Sequence, residues 1–477
     1  MRVLAAWLFV LCCAAGEASD WPRFRGPNGS GVADTTGLPS ELGPARNVVW
    51  KTALFPGYSS PIVSGDRIFL TAHEGDVLLT LCLSRKTGAL LWRREAPRVR
   101  QEPLDRRNGP ASPSAVTDGK TVTVFFGDYG LVSYDVDGRE RWRTPLGPFN
   151  NVYGMGASPI LVGDKVVLVC DQGTDSFIAA FDAKTGGPLW KTPRPEAVSG
   201  HATPVVLEPK SGPPLILAPG SFRLDAYSAD TGVSVWWVTG LPSEMKSGPV
   251  LGPDLVYVSG YGSPLNEPGQ HVTLPAFAEL LASRDKDADG RISKPEADEQ
   301  TKEYFTFVDL DRDGLVSEGE WARNRASMAA ENGLLAFALG GSGDVTRQNF
   351  CFKHQRSVPQ LPTALLYRDV LYMINDGGIL TTLDPGSGAV LKQGRLREAV
   401  DQYYASPVAG DGKVFFVSRT GIVTVLKAGG EQEVLSVGEL DDEVAATPAI
   451  ADGRIYLRTK SALYCFGANQ TAGGPRQ

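Results

Sequence analysis

The sequence of 477 residues is poor in the side chains that most often carry enzyme chemistry. Its four histidines (His73, His201, His271 and His354) lie far apart, and none stands in a metal-ligand or catalytic-triad spacing. The sequence has no nucleophile elbow, no zinc-ligand spacing and no glycine-rich dinucleotide loop. The sequence therefore gives no support for a common hydrolase, a zinc enzyme or a nucleotide-dependent dehydrogenase.

Positive charge is not in excess either. The 47 Lys and Arg residues stand against 54 Asp and Glu residues, which gives a formal net charge of −7. A protein that binds nucleic acid needs a basic surface to replace the counterions of the phosphates. We therefore expect no nucleic-acid partner.

Long apolar runs are also lacking. Arg2 precedes an apolar run of thirteen residues, 3–15, and a small-residue cleavage site follows it. A membrane span needs about 20 apolar residues. The pattern predicts a signal peptide, 1–18, and export to the periplasm or the extracellular space, with no transmembrane segment after cleavage. Lipid attachment through Cys12 or Cys13 is an alternative, although neither cysteine follows the small residue expected there.

Glycine, proline and a repeated strand pattern are abundant. The chain has 54 Gly and 34 Pro, as many short strands joined by turns require. Eight β-like runs are each preceded by a step, defined here as a residue pair that begins with Ser, Thr or Gly and usually ends with Pro. The spacings between steps are 41 to 52 residues, apart from one gap of 115. Four short strands in a period in the forties predict the blades of a β-propeller. The steps are Ser60-Pro61, Ser112-Pro113, Ser158-Pro159, Thr203-Pro204, Gly248-Pro249, Thr363-Ala364, Ser406-Pro407 and Thr447-Pro448.

The last unit, 447–467, supplies only three strands. The segment 47–52 has the features of the missing fourth strand, because Trp50 stands where other units carry a fourth-strand tryptophan. Joining the two closes the ring and leaves no open sheet edge. The sequence therefore predicts an all-β fold, an eight-bladed propeller with a small α-helical insertion. The predicted boundaries are 19–46 for an N-terminal segment, 47–467 for the propeller and 468–477 for a C-terminal tail.

Two residue types recur at fixed places in the units. We expect the fourth-strand tryptophans to pack between blades rather than to form a binding stack. Cys82 and Cys465 occupy equivalent positions in neighbouring units, too far apart for the ~5.5–6 Å Cα separation of a disulfide. We expect the four cysteines outside the predicted signal peptide to be buried free thiols. The tryptophans are Trp50, Trp92, Trp142, Trp190 and Trp236, and the cysteines are Cys82, Cys170, Cys351 and Cys465.

The repeat resembles that of the PQQ-like, or quinoprotein dehydrogenase-like, propellers, which include the outer-membrane-assembly propeller BamB. The likeness is closest to a group of exported bacterial PQQ-like propeller proteins, on segments 20–31 (DWPRFRGPNGSG), 126–131 (FGDYGL) and 463–467 (LYCFG). The resemblance implies the fold and export. It also implies that a PQQ enzyme would carry adjacent cysteines, and the only such pair, Cys12-Cys13, lies in the predicted signal peptide. We therefore expect no bound PQQ.

The long gap in the repeat is filled by a segment of different composition, 264–332, inserted in the fifth blade. Within it, 285–296 and 309–320 each match a twelve-residue EF-hand loop. Carboxylates at positions 1, 3 and 5 converge on the ion, Gly at 6 allows the turn, and Glu at 12 binds with both oxygens. The sequence predicts an EF-hand pair with two Ca²⁺ sites. The ligands are Asp285, Asp287, Asp289, the Arg291 carbonyl and Glu296 in loop one, and Asp309, Asp311, Asp313, the Leu315 carbonyl and Glu320 in loop two.

The residues just before each step are predicted to surround one mouth of the channel. Tyr58, His201, Lys246 and Tyr404, with nearby Tyr153, form a mixed aromatic and polar rim. Such a rim suits a protein segment or a polysaccharide, and ordinary solvated loops are the alternative.

Two functions remain open on the sequence. One is an exported calcium-binding protein with a non-catalytic binding or scaffold role, in which Ca²⁺ stabilises the insert. The alternative is a PQQ-dependent quinoprotein oxidoreductase. A hydrolase or lyase on the rim has no support in the sequence.

Overall fold

The computed structural model describes residues 20–270 and 272–468. The predicted signal peptide, His271 and all but the first residue of the predicted tail lie outside this part. The strands form eight sheets of four antiparallel strands, one of which gains a short fifth strand. The predicted eight-bladed propeller is confirmed.

The blades are numbered here in chain order, and each begins with its innermost strand. Blade 1 contains Ile62–Ser64, Arg67–Glu74, Val77–Ser84 and Leu90–Ala96. Blade 2 contains Val116–Thr117, Thr121–Phe126, Gly130–Asp135 and Glu140–Pro145. Blade 3 contains Ile160–Val162, Lys165–Cys170, Phe177–Asp182 and Pro188–Pro193. Blade 4 contains Val205–Leu207, Leu215–Gly220, Arg223–Ser228 and Ser234–Thr239, with Gly343–Asp344 added in parallel at its outer edge.

Blade 5 contains Val250–Leu251, Leu255–Gly260, Gly333–Ala338 and Phe350–His354. Blade 6 contains Leu365–Tyr367, Val370–Ile374, Ile379–Leu383 and Val390–Arg395. Blade 7 contains Val408–Gly410, Lys413–Val417, Ile422–Lys427 and Val434–Glu439. Blade 8 contains Ala449–Ala451, Arg454–Arg458, Ala462–Gly467 and, as its outer strand, Val48–Ala53.

The helices are few and short. The insert between the second and third strands of blade 5 contains α1 (Phe277–Arg284), α2 (Glu299–Glu303), α3 (Phe305–Val308) and α4 (Glu318–Ala329). A further helix, α5 (Thr346–Asn349), and two 3₁₀ turns (Pro27–Gly29 and Pro264–Asn266) complete the set. Within the described ranges, no helix is both long and apolar enough to cross a membrane.

The ring closes as the sequence predicts. Val48–Ala53 pairs antiparallel with Ala462–Gly467, and Trp50 lies opposite Cys465. The first strand after the N-terminal segment therefore completes the last blade, which leaves the eighth sheet without an open edge.

A chain of hydrogen bonds runs around the channel through the step residues. The backbone amide of one step donates to the side-chain hydroxyl of the next, in seven bonds of 2.9 to 3.0 Å. The step predicted at Ser112-Pro113 is wrong by two residues. Ser114 takes part instead, because Val116 opens the inner strand two residues later, as Ile62 does after Ser60. The accepting hydroxyls belong to Ser60, Ser114, Ser158, Thr203, Thr363, Ser406 and Thr447.

The fourth-strand tryptophans join neighbouring blades, as predicted. Four of the five indole Nε1 atoms donate to a backbone carbonyl of the next blade at 2.9 to 3.1 Å, whereas the buried Nε1 of Trp236 has no partner among the described residues. A turn glycine of that next blade lies against the ring, such as Gly186 on Trp142 and Gly232 on Trp190. The pairs are Trp50 with the Arg85 carbonyl, Trp92 with Val136, Trp142 with Ala183 and Trp190 with Ala229.

The cysteines follow the prediction with one exception. Cys82, Cys170 and Cys465 are buried free thiols between blades, and burial raises the pKa of Cys82 and Cys465 to about 11. The prediction is wrong for Cys351, which is exposed. It lies on the outer strand of blade 5, whose first two residues, Phe350 and Cys351, are both exposed.

The N-terminal segment closes one end of the channel. Trp21 exchanges two backbone hydrogen bonds with Val63 of blade 1, and the Asn28 side chain pairs with the backbone of blade 4. Arg25, 2% exposed, donates to the Ala364 carbonyl at 2.9 Å and the Pro407 carbonyl at 3.3 Å. The segment thus reaches inner strands on opposite sides of the ring and fills the channel from the side of the first hairpins.

Candidate metal centre and channel mouth

The insert has a hydrophobic core of its own. Leu280, Ile292, Phe305, Val316 and Trp321 are each at most 5% exposed and pack together. The two predicted loops meet in a two-stranded sheet in which Ile292 pairs with Val316. The packing holds the loops side by side, each between an entering and an exiting helix.

The side chains of loop one converge. Carboxylate oxygens of Asp285, Asp287 and Asp289 lie within 4.8 Å of one another. The Gly290 amide donates to Asp285 Oδ2 at 3.1 Å. Glu296 folds back over the loop and accepts from two backbone amides, both within 2.9 Å. The carboxylate of position 12 is therefore held by backbone amides of the loop and lies outside the group formed by the other three.

Loop two repeats this arrangement. Here oxygens of Asp309, Asp311 and Glu320 lie within 4.8 Å of one another. The amide of the sixth residue donates to Asp309 Oδ2 at 3.0 Å. Asp313 accepts a hydrogen bond from the Leu315 amide. It also forms an ion pair with the Arg291 guanidinium of loop one at 2.7 Å. That ion pair connects the two loops across their outer sides.

One oxygen in each loop is left unsatisfied. Asp285 Oδ1 and Asp309 Oδ1 are buried, and neither has a hydrogen-bond partner among the described residues. Burial raises the pKa of Asp309, and the nearby Glu320 and Asp313 charges add to the rise. A buried carboxylate oxygen without a partner is costly, and a hard cation would satisfy it. The all-oxygen donor set of both loops fits such an ion.

The predicted mouth residues lie at one end of the channel, in two groups. The Tyr153 ring is 5.7 Å from the His201 ring, and Lys246 Nζ is 5.4 Å from the centre of the Tyr153 ring. Tyr58 and Tyr404 line a partly open pocket on the other side, with an enclosed space of about 20 Å³. The remaining lining residues are Gly57, Arg107, Arg419, Glu443, Val444, Ala445, Ala446, Arg458, Thr459 and Lys460.

Arg107 joins the two groups. It lines the pocket, and its guanidinium lies 5.6 Å from the centre of the Tyr153 ring. Sequence reasoning missed this residue and the other cations of the pocket. A signal for two of them exists, because Arg419 and Lys460 each stand thirteen residues after a step, at Ser406 and Thr447.

The electrostatics of the mouth differ between the two groups. Burial lowers the pKa of His201 to about 3, with a further contribution from Lys246. Burial raises the pKa of Tyr153. Both rings are therefore neutral at physiological pH, whereas the pocket beside them is rich in fixed positive charge.

The insert contacts the mouth directly. Phe307 of α3 lies 5.6 Å from the Tyr153 ring, centre to centre. The Asn150 side-chain amide donates to the Leu310 carbonyl of loop two at 2.6 Å. Arg323 of α4 donates to the Glu196 carbonyl at 2.7 Å. Loop two and the helices on either side of it thus rest on the mouth side of blades 3 and 4.

The comparisons with known proteins agree with this architecture. A family model described as outer membrane protein assembly factor BamB matches residues 44–205 and 352–472, more than half of the chain. The chain belongs to this family. The unmatched stretch between the two BamB-family segments includes the whole insert.

Two BamB proteins are similar over shorter stretches. That of Burkholderia pseudomallei is 28% identical over 160 residues, 32% of this chain and 39% of that protein. That of Bordetella pertussis is 28% identical over 136 residues, 28% of this chain and 30% of that protein. The chain therefore matches well under half the length of either relative.

Solved structures share the fold. The structure of BamB from Moraxella catarrhalis is similar with a TM-score of 0.55 at 14% identity, over 88% of this chain and 99% of that one. A europium-containing methanol dehydrogenase gives a TM-score of 0.59 at 10% identity, over 94% of this chain and 98% of that one. Identities this low relate the folds alone.

The cysteines bear on the cofactor of such dehydrogenases. Cys82, Cys170 and Cys465 are buried in separate clusters between blades, and Cys351 lies on an outer strand. None of these four can form the adjacent pair that the resemblance to quinoprotein dehydrogenases implies. The expectation that PQQ is not bound stays a prediction.

Proposed function

We propose that this BamB-family propeller is an exported calcium-binding protein that binds or scaffolds a partner and does not catalyse a reaction. The insert would be an EF-hand pair that takes two Ca²⁺ ions. The partner would be a protein segment or a polysaccharide at the channel mouth. The relatives' name, an outer membrane protein assembly factor, supports a binding role outside the cytoplasm.

The observation that carries the calcium assignment is the pair of buried, unpartnered oxygens, Asp285 Oδ1 and Asp309 Oδ1. Each belongs to position 1 of a loop in which further carboxylates converge within 4.8 Å. Without a cation, like charges crowd at this distance and repel each other. With Ca²⁺, the same oxygens become ligands and the repulsion is removed. Exported modules bind Ca²⁺ with Kd values on the order of 10⁻⁴–10⁻³ M, which favours a constitutive, structural role.

Calorimetry with Ca²⁺ on the mature protein tests this proposal. We expect two ions per chain, counted independently by native mass spectrometry with and without chelator. Glu296→Gln together with Glu320→Gln removes both bidentate ligands and most of the affinity. Glu299→Gln together with Glu303→Gln is the matched control, because these two glutamates lie on a helix of the same insert outside both loops. Circular dichroism verifies that the blades stay folded in both variants.

Either of two results would refute the calcium assignment. One is the absence of Ca²⁺ binding by the wild type at millimolar concentration. The other is equal binding by the double variant at 296 and 320. A loss of binding in the control variant would point to non-specific charge attraction instead of loop coordination.

The non-catalytic part of the proposal has its own test. The purified protein is mixed with PQQ and Ca²⁺, and dye reduction is followed with alcohols and sugars as substrates. We expect no turnover above that of the free cofactor. Turnover clearly above this level would establish the oxidoreductase alternative.

A further inference from the structure

The mouth pocket has a charge opposite to that of the whole protein. Four cationic side chains line it, Arg107, Arg419, Arg458 and Lys460, with a single carboxylate, that of Glu443. The chain as a whole carries a formal net charge of −7. A local excess of positive charge in a concave site on an acidic protein concentrates anions there.

Arg458 is the deepest of these cations and has no counter-charge. It is 1% exposed and donates only to neutral oxygens, including the Thr71 carbonyl at 2.8 Å and Ser59 Oγ at 2.7 Å. Its Nε is buried without an acceptor among the described residues. Burial alone lowers its pKa to about 9. A buried guanidinium without an anion is costly, and an anion in the pocket would offset that cost.

The two arginines nearer to solvent are held in fixed orientations. Arg419 donates to the neutral Gln402 Oε1 at 3.0 Å and lies 5.0 Å from the centre of the Tyr404 ring. Arg107 is positioned by Asp105, which accepts from its Nε and Nη2. Asp105 thus occupies this edge of Arg107, and the planar guanidinium of Arg419 is the one that matches the two oxygens of an incoming carboxylate. The Lys460–Glu443 pair, 3.8 Å apart and more than half exposed, is weakened by solvent.

The walls of the pocket indicate what carries the anion. Tyr58 and Tyr404 provide aromatic surface with hydroxyl groups, and 444–446 provide a small apolar wall. The enclosed space of the pocket is only about 20 Å³, so a ligand would lie across the open mouth and not inside a closed cavity. A folded protein partner would need a footprint of about 800 Å² instead. A sugar ring has an apolar C–H face for a tyrosine and hydroxyls for the polar rim.

We propose that the mouth pocket binds a uronic-acid sugar, whose carboxylate interacts with Arg419 and Arg458 while its ring packs beside Tyr58 and Tyr404. This inference rests on the binding role proposed above and specifies its ligand as an acidic polysaccharide. It does not depend on the calcium loops, which lie against the opposite side of the mouth.

Calorimetry with trigalacturonate as the probe tests the inference on the mature protein in Ca²⁺ buffer. We expect binding that weakens as NaCl rises from 50 to 500 mM, about the range in which screening removes exposed charge attraction. Arg419→Gln should lower the affinity about tenfold, since it removes a charge-assisted hydrogen bond. Arg143→Gln, on the exposed outer strand of blade 2, is the matched control and should change nothing. Lys460→Gln is a second, exposed variant that keeps the test valid if Arg419→Gln misfolds, and it should weaken binding about two- to threefold.

Several results would overturn the inference. These are no binding of trigalacturonate at millimolar concentration, equal binding by Arg419→Gln, and equal binding of the neutral trisaccharide maltotriose. Tighter binding of hexaglutamate or of PQQ would assign the pocket to a peptide or a cofactor. Ca²⁺ is titrated in the same samples, so loss of sugar binding with two Ca²⁺ sites intact rejects this inference alone. Sugar binding without Ca²⁺ binding would reject only the calcium assignment.

Discussion

The side-chain amide of Asn150 in the loop before blade 3 donates a hydrogen bond of 2.6 Å to the Leu310 carbonyl of the insert. Leu310 stands between Asp309 and Asp311, two of the residues that converge in loop two. Phe307, just before this loop, packs against Tyr153 at the mouth. A change in the geometry of loop two therefore reaches the mouth through contacts of a few ångströms. We therefore predict that Ca²⁺ binding at loop two and ligand binding at the mouth affect each other's affinity equally, as linkage requires.

Replacing Asn150 by Ala should weaken Ca²⁺ binding at loop two. The substitution removes the hydrogen bond that holds the Leu310 carbonyl, and one such bond corresponds to roughly a two- to tenfold change in affinity. Calorimetry in a Glu296→Gln background, where only loop two retains its bidentate ligand, measures this change directly.

The reciprocal background provides the control for that measurement. With Glu320→Gln, loop one is the remaining site, and Asn150→Ala should leave its affinity unchanged. An equal effect in both backgrounds would show that Asn150 acts on the insert as a whole, and no effect in either would disprove the coupling.

Gly186→Ala should destabilise the propeller more than Gly163→Ala. Both glycines belong to blade 3 and have a positive φ, 72° and 58°, so the backbone strain of alanine is similar at the two sites. A Cβ at Gly186 would lie 2.4 Å from the Trp142 ring, whereas a Cβ at Gly163 would meet nothing within 4 Å. We expect an extra cost of roughly 1–3 kcal/mol at Gly186 from this overpacking. Urea unfolding of the two variants measures the difference, and equal values would contradict inter-blade packing by Trp142.

Deleting 20–52 should give an aggregation-prone protein, whereas deleting 20–46 should not. The longer deletion removes Val48–Ala53 and exposes the edge of Ala462–Gly467 in blade 8. The shorter deletion removes the segment that fills the channel but keeps the ring closed. We expect the shorter variant to be soluble with a lowered Tm. Size-exclusion chromatography and thermal melts decide, and a soluble longer variant with an unchanged Tm would disprove closure by this strand.

Stability should fall on mild acidification in part through His201. Its pKa is lowered to about 3 in the folded protein, against about 6.5 in an unfolded chain. The unfolded state therefore binds a proton between these values while the folded state does not. This contribution is fully present above pH 6.5 and is lost as the pH falls towards 3, by at most about 1.4 kcal/mol per pH unit. Urea unfolding at pH 7, 6 and 5 should show a shallower decline for His201→Gln than for the wild type. Parallel declines would exclude His201 as the group responsible.

Local sequence patterns predict the blades well, because each blade is formed mainly by residues that are close in sequence. The period of the steps, the turn glycines and Trp50 were sufficient for the blade number and the closure. The predicted position of the step was wrong in blade 2, because Pro113 has a serine on each side. The pattern alone does not show which serine joins the hydrogen-bonded chain.

The contacts between distant segments could not be predicted from the sequence. Asn150 and Leu310 are separated by 160 positions, and no periodicity relates an inserted loop to the blade on which it rests. The mouth was predicted from the aromatic and polar residues that precede each step. This pattern identified Tyr58 and Tyr404 but not Arg107. The cations Arg419 and Arg458 come from second strands and their hairpins, which reach the mouth only because of the way each blade folds.

The segment that begins at Asp20 has a consequence for how ligands exchange. Because this segment fills the channel from the hairpin side, the channel is open only at the mouth. A ligand would therefore enter and leave through the mouth. A polymer cannot pass through the ring. The mouth can bind it only by one end or by a side group that reaches over the rim.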